Sequence, residues 1–337
     1  MSREKEIEAL RKDLGVIDLT RIDSVSTIST GIVAIDLALG GGFPEGRFSE
    51  VYGDWQSGKS LLLYQTIAQC QRGGGICILL DVERSLDPVW IRALGINMKE
   101  LLYYTPVTLE EAFDDVETAV KTIRRKSSIF KNSSVLIGYD SLAASVAKDE
   151  FNKSFGQPEM AIRARVISSS LRRLVGLLAD QHIAFILVNQ LRSKIGVMFG
   201  PTEETTGGRA PKFYASLRVS LRKRGQITKD GKVVGVKGEL VTVKSRIGVP
   251  FKSVPFSMMF SSGIDRFSGL IVYLEKYGII KKSGPWIAFG KHKMKTTAFL
   301  KSWDSLSSEV IAKLKESSVA GEFEDVVDSS VKEVDDA

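Results

Sequence analysis

The residues with the clearest chemical meaning are 53–60, which read GDWQSGKS and match the pattern GxxxxGK[ST] at every fixed position. The segment 48–52 is predicted to form a strand before them, and the stretch 59–71 is predicted to form a helix after them. In that context backbone N–H groups and the helix N-terminus face a phosphate, Lys59 reaches its outer oxygens and Ser60 ligates Mg²⁺. A chance glycine-rich loop would lack this context, so we predict an ATP and Mg²⁺ site. The predicted ATP contacts in this segment are Gly53, Asp54, Trp55, Gln56, Ser57, Gly58, Lys59, Ser60 and Leu61.

Two carboxylates stand where further predicted strands end. Asp140 ends the apolar run 134–140, a position from which a carboxylate holds Mg²⁺ or its waters. Glu83 follows the run 76–82, close to Asp81, and could deprotonate the water that attacks the γ-phosphate. A surface ion pair would be the ordinary explanation of Glu83 alone. Its place at the carboxyl end of a strand, where open parallel sheets bind ligands, favours the catalytic interpretation.

Gln190 ends another apolar run, 183–190. An amide at this position can report whether the γ-phosphate is present by making or losing one hydrogen bond. Ordinary polarity at a strand end explains the residue equally well without further context.

The elements that must position these residues alternate between apolar runs and amphipathic stretches, with long helices predicted at 109–125 and 160–180. Continuous apolar strands separated by helices indicate an α/β fold whose parallel sheet is flanked by helices. After about residue 213 the pattern changes to β-hairpin strands, predicted at 215–224, 239–246 and 253–260.

Length and composition restrict the remaining possibilities. The 337 residues predict about two domains, or one with an appendage. No run approaches the roughly 18 apolar residues of a membrane span. Cys70 and Cys77 are too few for a disulfide framework or a zinc cluster. The two histidines, His182 and His292, lie far apart, so metalloprotease and Ser-His-Asp chemistry have little to work with. We therefore expect a cytoplasmic protein in a reducing compartment, with no membrane partner.

The charge is unevenly distributed. The net charge is +7, but residues 319–337 carry seven acidic side chains and one lysine, which leaves +13 on the rest. A basic body indicates a polyanionic partner such as nucleic acid. The acidic segment could compete for the same surface, or it could be only a solubilising terminus.

Several stretches resemble the RecA family of recombinases. They are ISTGIVAIDLALGGGFPEGRFSEVYG (28–53), GDWQSGKS (53–60), LLDVERSLDPVWIRALG (79–95), VNQLRSKIGVMFGPTEETTGGRAPKFYAS (188–216) and VKSRIGVPFK (243–252). The resemblance covers about residues 27–270 and is of the bacterial or phage type. KIGVMFG followed by TTGG and KFYAS is far more specific than the phosphate loop, which very many ATPases share.

The resemblance implies a RecA-like P-loop core with a mostly parallel sheet flanked by helices. We divide the chain into an N-terminal oligomerisation helix and linker (1–30), the ATPase core (31–263), a small basic C-terminal α/β domain (264–318) and an acidic disordered tail (319–337). The implied activity is a DNA-dependent ATPase that forms a homo-oligomeric helical filament on single-stranded DNA. It pairs that strand with a homologous duplex and exchanges strands. Mediator and single-strand-binding proteins are further partners to consider.

The resemblance also assigns roles at the nucleotide. Glu83 is similar to the family's catalytic glutamate, Asp140 to its Mg²⁺-associated aspartate, and Gln190 to the switch that couples the γ-phosphate to DNA. Asp87 and Trp90 stand where the family contacts adenine, with tryptophan in place of the expected tyrosine. Lys244 and Arg246 resemble the basic pair that reaches the γ-phosphate of the neighbouring subunit.

Two segments, about 148–160 and 191–209, fit the family's DNA-binding loops. The second combines cations with apolar side chains that can stack on bases, and glycines that allow close approach; a disordered surface loop is the alternative. Its predicted DNA contacts are Arg192, Lys194, Ile195, Gly196, Val197, Met198, Phe199, Gly207, Gly208 and Arg209. On the helix after the first loop, the positions matching the family's DNA-facing residues are Met160, Arg165, Ser168 and Arg172. A merely solvated basic face remains open for the two arginines.

Two other functions use the same core. One is a ring-forming helicase or DNA-dependent motor, and the other is a regulatory or mediator paralogue that has lost turnover. The intact set of Lys59, Ser60, Glu83, Asp140 and Gln190 argues against lost turnover. We expect the basic segment 264–318, with Trp286 and Trp303, to gather duplex DNA, although its tryptophans could equally be core residues of a structural cap.

Overall fold

The computed structural model of the chain describes residues 3–14, 25–126, 133–152, 160–179, 181–193 and 203–319. The helices are α1 (Arg3–Leu14), α2 (Val33–Leu39), α3 (Lys59–Arg72), α4 (Pro88–Ala93), α5 (Leu109–Lys126), α6 (Lys148–Phe151), α7 (Met160–Leu178), α8 (Arg209–Tyr214), α9 (Leu270–Lys276), α10 (Thr296–Lys301) and α11 (Trp303–Val319). The strands are β1 (Thr27–Ile28), β2 (Phe43–Pro44), β3 (Arg47–Gly53), β4 (Ile76–Asp81), β5 (Leu101–Tyr104), β6 (Val135–Asp140), β7 (Ile183–Ser193), β8 (Glu203–Thr205), β9 (Leu217–Lys229), β10 (Lys232–Ser245), β11 (Ser253–Met259), β12 (Gly263–Ile264), β13 (Lys281–Ser283), β14 (Trp286–Phe289) and β15 (His292–Lys295).

One mixed sheet forms the centre of the molecule. In the described part of the chain its strand order is β12-β11-β10-β9-β3-β7-β6-β4-β5, with β8 paired to β7. The pairs from β5 to β9 along this order are parallel. The strands from β9 to β12 pair antiparallel and extend the sheet. The predicted α/β fold with a largely parallel sheet is therefore confirmed, and the later runs form its antiparallel extension.

Helices cover both faces of this sheet because its inner strands are apolar on both sides. Every residue of β6 is buried, as are all but the first residue of β4. On one face α3 packs through residues such as Leu62 and Ile67, and on the other α5 and α7 pack through Val116 and Leu171. Because these inner strands are parallel, their carboxyl ends meet at one edge of the sheet.

Gly138 lies where β6 meets α3. A Cβ at this position would lie 2.7 Å from Cδ1 of Leu63. A larger residue would push the helix away from the strand, because interiors are close-packed. Glycine therefore lets the start of α3 approach the end of β6, where Asp140 lies.

The predicted strands and helices around the phosphate loop lie within two residues of the observed bounds, but β7 is longer than expected. It continues past Gln190 to Ser193 because its last three residues pair with β8. The predicted loop 191–209 is therefore shorter at both ends, where a strand pair and the start of α8 replace irregular chain. In the predicted loop 148–160, α6 takes the first four residues, and 153–159 lie outside the described residues.

The chain after β12 forms α9, a three-stranded antiparallel sheet (β13 to β15), α10 and α11. Ile264 pairs with β11 and is buried in the core, so the predicted boundary at 263/264 falls inside β12. Trp303 is also a buried core residue, whereas Trp286 is 42% exposed. Within the predicted acidic tail, only Val319 is described, as the last residue of α11.

On α1, the described side chains of Ile7 and Leu10 are exposed, as expected of an arm that packs on another subunit; this role stays a prediction. No helix in the described ranges has the length and apolarity to cross a bilayer.

Candidate nucleotide and DNA sites

The loop between β3 and α3 has the shape of a phosphate site. A Cβ on Gly53 would lie 1.9 Å from the carbonyl oxygen of Leu221, so only glycine fits there. Lys59 is buried, and its Nζ donates a 2.5 Å hydrogen bond to the carbonyl oxygen of Asp54. The hydroxyl of Ser57 is buried with no hydrogen-bond partner in the part of the chain that the structure describes. An unpaired buried donor beside a helix N-terminus suits a phosphate oxygen.

The charges around Lys59 also favour binding of a phosphate together with a metal ion. Burial lowers the pKa of Lys59, whereas the carboxylates of Asp140, Asp54 and Glu83 act to raise it. The ammonium group thus lies among carboxylates that can also attract a metal ion.

Asp140 ends β6 beside Asp81, which ends β4. It is buried, the side chain of Ser60 is hydrogen-bonded to it, and Oη of Tyr64 donates to it over 3.3 Å. Burial raises the pKa of Asp140 to about 6, while the hydrogen bond with Ser60 lowers it and the charge of Glu83 raises it further.

The oxygen atoms of Ser60 and Asp140 fit a magnesium ion that is shared with a nucleotide. No group of three or more His, Cys, Asp or Glu side chains among the described residues could hold a metal by itself. Mg²⁺ usually takes only one or two protein ligands and completes its shell with water and substrate phosphates. The hydroxyl and carboxylate found here match that use.

Glu83 lies just beyond β4 and is exposed. Oγ of Ser141 donates a 2.5 Å hydrogen bond to its Oε1, and Nε2 of Gln190 makes a long contact of 3.5 Å to the same oxygen. The sequence predicted Glu83 and Gln190 but missed Ser141, whose one signal is its position directly after Asp140. A carboxylate oriented in this way can accept the proton of a water molecule.

Trp90 and Asp87, the two predicted adenine contacts, make different interactions. Nε1 of Trp90 donates to the carbonyl oxygen of Phe260 over 3.2 Å, and its ring meets that of Tyr64 edge-on at 6.2 Å. The carboxylate of Asp87 instead caps α4, where it accepts from the N–H groups of Val89 and Trp90. Asp87 therefore positions the helix that carries the indole, and its predicted adenine contact stays a prediction.

The predicted nucleotide residues enclose a cleft of about 440 Å³. Those that line it are Trp55, Gln56, Ser57, Gly58, Lys59, Ser60, Leu61, Glu83, Trp90, Asp140 and Gln190. Gly53 and Asp54 shape the loop but do not line the cleft. The sequence missed further lining residues, namely Ser141, Val188, Val236, Met258, Met259 and Phe260. Most of these come from the β10–β11 region, which folds beside the phosphate loop only because of the sheet order.

Lys244 and Arg246 do not line this cleft. Nζ of Lys244 donates to the carbonyl oxygens of Lys212 and Phe213, at 2.9 and 3.0 Å, in the last turn of α8. Burial lowers the pKa of Lys244, and the positive charges of Arg246 and Arg218 lower it further. Both side chains lie outside the nucleotide cleft of their own chain, and their role toward a neighbouring subunit stays a prediction.

Two of the predicted DNA-facing residues of α7, Ser168 and Arg172, lie beside α8. Ser168 lines a shallow pocket together with Gly207, Gly208 and Arg209. Arg172 is exposed, and its Nε donates a 3.0 Å hydrogen bond to Oη of Tyr214. These contacts hold the two helices together and place an arginine from each on one surface.

Only some of the other predicted DNA-binding residues lie in the part of the chain that the structure describes. Arg165 is exposed on α7, and Arg192 is exposed near the end of β7. Met160 begins α7, but its side chain is outside the description. Lys194, Ile195, Gly196, Val197, Met198 and Phe199 lie outside the described residues.

A phosphate loop between a central strand and a helix, with carboxylates at neighbouring strand ends, defines a P-loop ATPase. The model of the RecA N-terminal domain family matches residues 4–265. The chain belongs to the RecA family.

Curated relatives agree over most of the chain. It is 36% identical to Protein RecA of Chloroherpeton thalassium over 94% of this chain and 90% of the relative. It is 37% identical to Protein RecA of Chlorobium limicola over 86% and 82%, and 36% identical to that of Rhizobium leguminosarum bv. viciae over 94% and 92%.

Family membership confirms the predicted function and enzyme class. The chain is an ATP-using homologous recombination protein of the class of DNA-dependent ATPases. The family binds DNA and forms filaments. This finding favours recombination over a ring helicase, while the roles of individual residues remain to be tested.

Proposed function

We propose that this protein assembles with ATP and Mg²⁺ into a helical filament on single-stranded DNA, pairs that strand with a homologous duplex and exchanges strands, in the cytoplasm. The observation that carries the proposal is the contact between Glu83 and Gln190. It joins the hydrolytic carboxylate to β7, the strand that leads toward the second DNA segment. One strand therefore meets both the nucleotide and the DNA, so each can influence the other.

In the proposed hydrolysis, Glu83 accepts a proton from water while the water oxygen forms a bond to the γ-phosphorus. The bond from the γ-phosphorus to the β–γ bridging oxygen breaks, which gives ADP and phosphate. Lys59 neutralises charge on the outer phosphates, and Ser141 orients Glu83. Mg²⁺ held by Ser60 and Asp140 would polarise the phosphate oxygens.

Lys244 and Arg246 are proposed to act on the nucleotide of the next subunit. Their absence from the cleft of their own chain supports this, and so does the place of Lys244 near the end of β10, beyond the residues that pair with β11. Cations that arrive from a neighbour make assembly itself a requirement for turnover, as an arginine finger does.

We propose that the α7–α8 surface follows the backbone of the single strand. Arg165, Arg172 and Arg209 supply positive charge, and Gly207 and Gly208 allow close approach. Arg192 and the segment 194–199 would complete the site. Lysines at 281, 282, 291, 293 and 295 are all exposed around the small C-terminal sheet and would gather duplex DNA.

The acidic segment 319–337 would then mask duplex-binding lysines. A chain without these residues should bind duplex DNA more tightly at low salt than the full chain. Equal affinity would reduce the segment to a solubility element.

Electron microscopy with single-stranded DNA and a non-hydrolysable ATP analogue tests the proposal. We expect helical filaments, together with an ATPase rate that rises when the DNA is added and formation of joint molecules with homologous duplex. Closed rings with duplex unwinding would indicate a helicase instead. DNA-bound filaments without turnover would indicate a regulatory paralogue.

A further inference from the structure

Asn189 and Gln190 are consecutive residues of β7 whose side chains point to opposite faces of the sheet. Gln190 lines the nucleotide cleft. Asn189 is fully buried on the other face, the one that α7 and α8 cover. One position of the strand thus separates the predicted γ-phosphate sensor from the layer that carries the DNA-facing helices.

The side chain of Asn189 connects three parts of the molecule. Its Nδ2 donates to Oε1 of Glu50 over 2.9 Å and to the carbonyl oxygen of Thr206 over 2.8 Å. Its Oδ1 accepts a 2.9 Å hydrogen bond from the backbone N–H of Gln190. Thr206 directly precedes Gly207, in the turn that leads into α8. Asn189 therefore joins the backbone of the sensor residue to the turn before the DNA-facing helix.

A buried ion pair anchors this asparagine. Glu50 is fully buried on β3, and Nε of Arg218 on β9 donates a 2.6 Å hydrogen bond to its Oε2. The guanidinium group also lies 4.5 Å from the centre of the Tyr52 ring. A buried carboxylate must keep such partners, because leaving it unpaired is strongly unfavourable. The pair therefore holds Asn189 in one orientation.

The same pair also borders the far end of α8. Arg218 lies directly opposite Lys244 in the β9–β10 ladder. Lys244 donates to the carbonyl oxygens of Lys212 and Phe213 at the end of α8. The network thus reaches the start of α8 through Thr206, while the strand position paired with Arg218 carries Lys244, which contacts the end of α8.

We propose that Asn189, anchored by Glu50 and Arg218, is the positioning residue that transmits the state of the nucleotide cleft from Gln190 to the Gly207–Gly208 turn. The inference rests on the proposed function and adds the element that carries the coupling. A movement of the Gln190 backbone would pull on the Asn189 side chain, which moves the turn and the first residue of α8, Arg209. The alternative explanation is that Asn189, Glu50 and Arg218 form a buried polar cluster that only stabilises the fold.

The test measures affinity for a fluorescent single-stranded oligonucleotide with and without a non-hydrolysable ATP analogue. In Asn189→Ala we expect the ratio of the two affinities to fall by about tenfold, the usual scale of a coupling between sites. The affinity for the analogue itself should stay within about twofold, because Asn189 does not touch the cleft. Thr242→Val is a matched control, since Thr242 is a fully buried hydroxyl on β10 that is bonded to Lys252. It should lower the unfolding midpoint but leave the ratio intact.

Asn189→Leu serves as a second variant if the alanine variant does not fold. It keeps the volume of the side chain and so leaves no cavity. It removes the donor to Glu50 and Thr206 and the acceptor for Gln190, and it should also lower the ratio. If both variants keep the wild-type ratio of DNA affinities, or if the ratio falls equally in Thr242→Val, the inference about Asn189 is overturned but the proposed function is not. If the wild-type protein binds DNA equally well with and without the analogue, both the proposed function and this inference are overturned.

Discussion

Ser141 donates a hydrogen bond to Glu83 across the ends of two neighbouring strands, β6 and β4. This contact fixes the direction in which the carboxylate faces the cleft. Ser141→Ala should leave ATP affinity near the wild-type value and lower the DNA-stimulated kcat by about ten- to a hundredfold, because misplacing a catalytic group costs that much. Steady-state kinetics with single-stranded DNA separates kcat from KM. An unchanged kcat would remove Ser141 from the mechanism.

A mixture of two variants tests whether Lys244 and Arg246 act on the nucleotide of the neighbouring subunit. Lys59→Ala should be inactive in its own cleft, and Lys244→Ala combined with Arg246→Ala should be inactive toward its neighbour. In an equal mixture, about a quarter of the interfaces would join an intact cleft to an intact basic pair, so ATPase activity should partly return. Each variant alone provides the control. A mixture as inactive as its parts would show that the pair acts within one chain.

Arg172 and Arg173 form a matched pair on α7. Arg172 contacts Tyr214 beside the predicted DNA surface, whereas Nη2 of Arg173 is paired with Glu117 of α5. Arg172→Ala should reduce the salt dependence of single-strand binding by about 0.7 in the slope of log K against log salt, the value for one lost phosphate contact. Arg173→Ala should leave the slope unchanged. Equal slopes in both variants would place the DNA elsewhere.

Asp36 in α2 links stability to pH. Burial raises its pKa to about 6, although the hydrogen bonds from Ser29 and Thr30 act to lower it. The folded protein then holds a proton that the unfolded chain releases, so its free energy of unfolding falls as pH rises from about 4 to about 6. Urea unfolding of wild type and Asp36→Asn should give a difference that changes by about 2 kcal/mol over this window and levels off about one pH unit above it. A difference independent of pH would contradict this assignment.

Much of the nucleotide site could be predicted from the sequence because its residues follow local patterns. Lys59 and Ser60 belong to a contiguous motif, and Asp140 and Gln190 end long apolar runs that could only be buried strands. The expected edge of the sheet does bring these residues into one cleft.

The rest depends on which strands become neighbours, and no local pattern contains that information. Met258 and Phe260 line the cleft because the antiparallel extension begins beside β3. The predicted loop 191–209 is shortened because Leu191 pairs with Thr205 across segments that look irregular by themselves. Glu50 and Arg218 likewise meet only through the register of β3 with β9.

The central claim is that a bound triphosphate raises the affinity of the protein for single-stranded DNA. We would measure the affinity for one oligonucleotide without nucleotide, with ADP and with a non-hydrolysable ATP analogue, all with Mg²⁺. The account predicts that the analogue strengthens binding by about tenfold or more over the other two conditions. The same affinity in all three would contradict it.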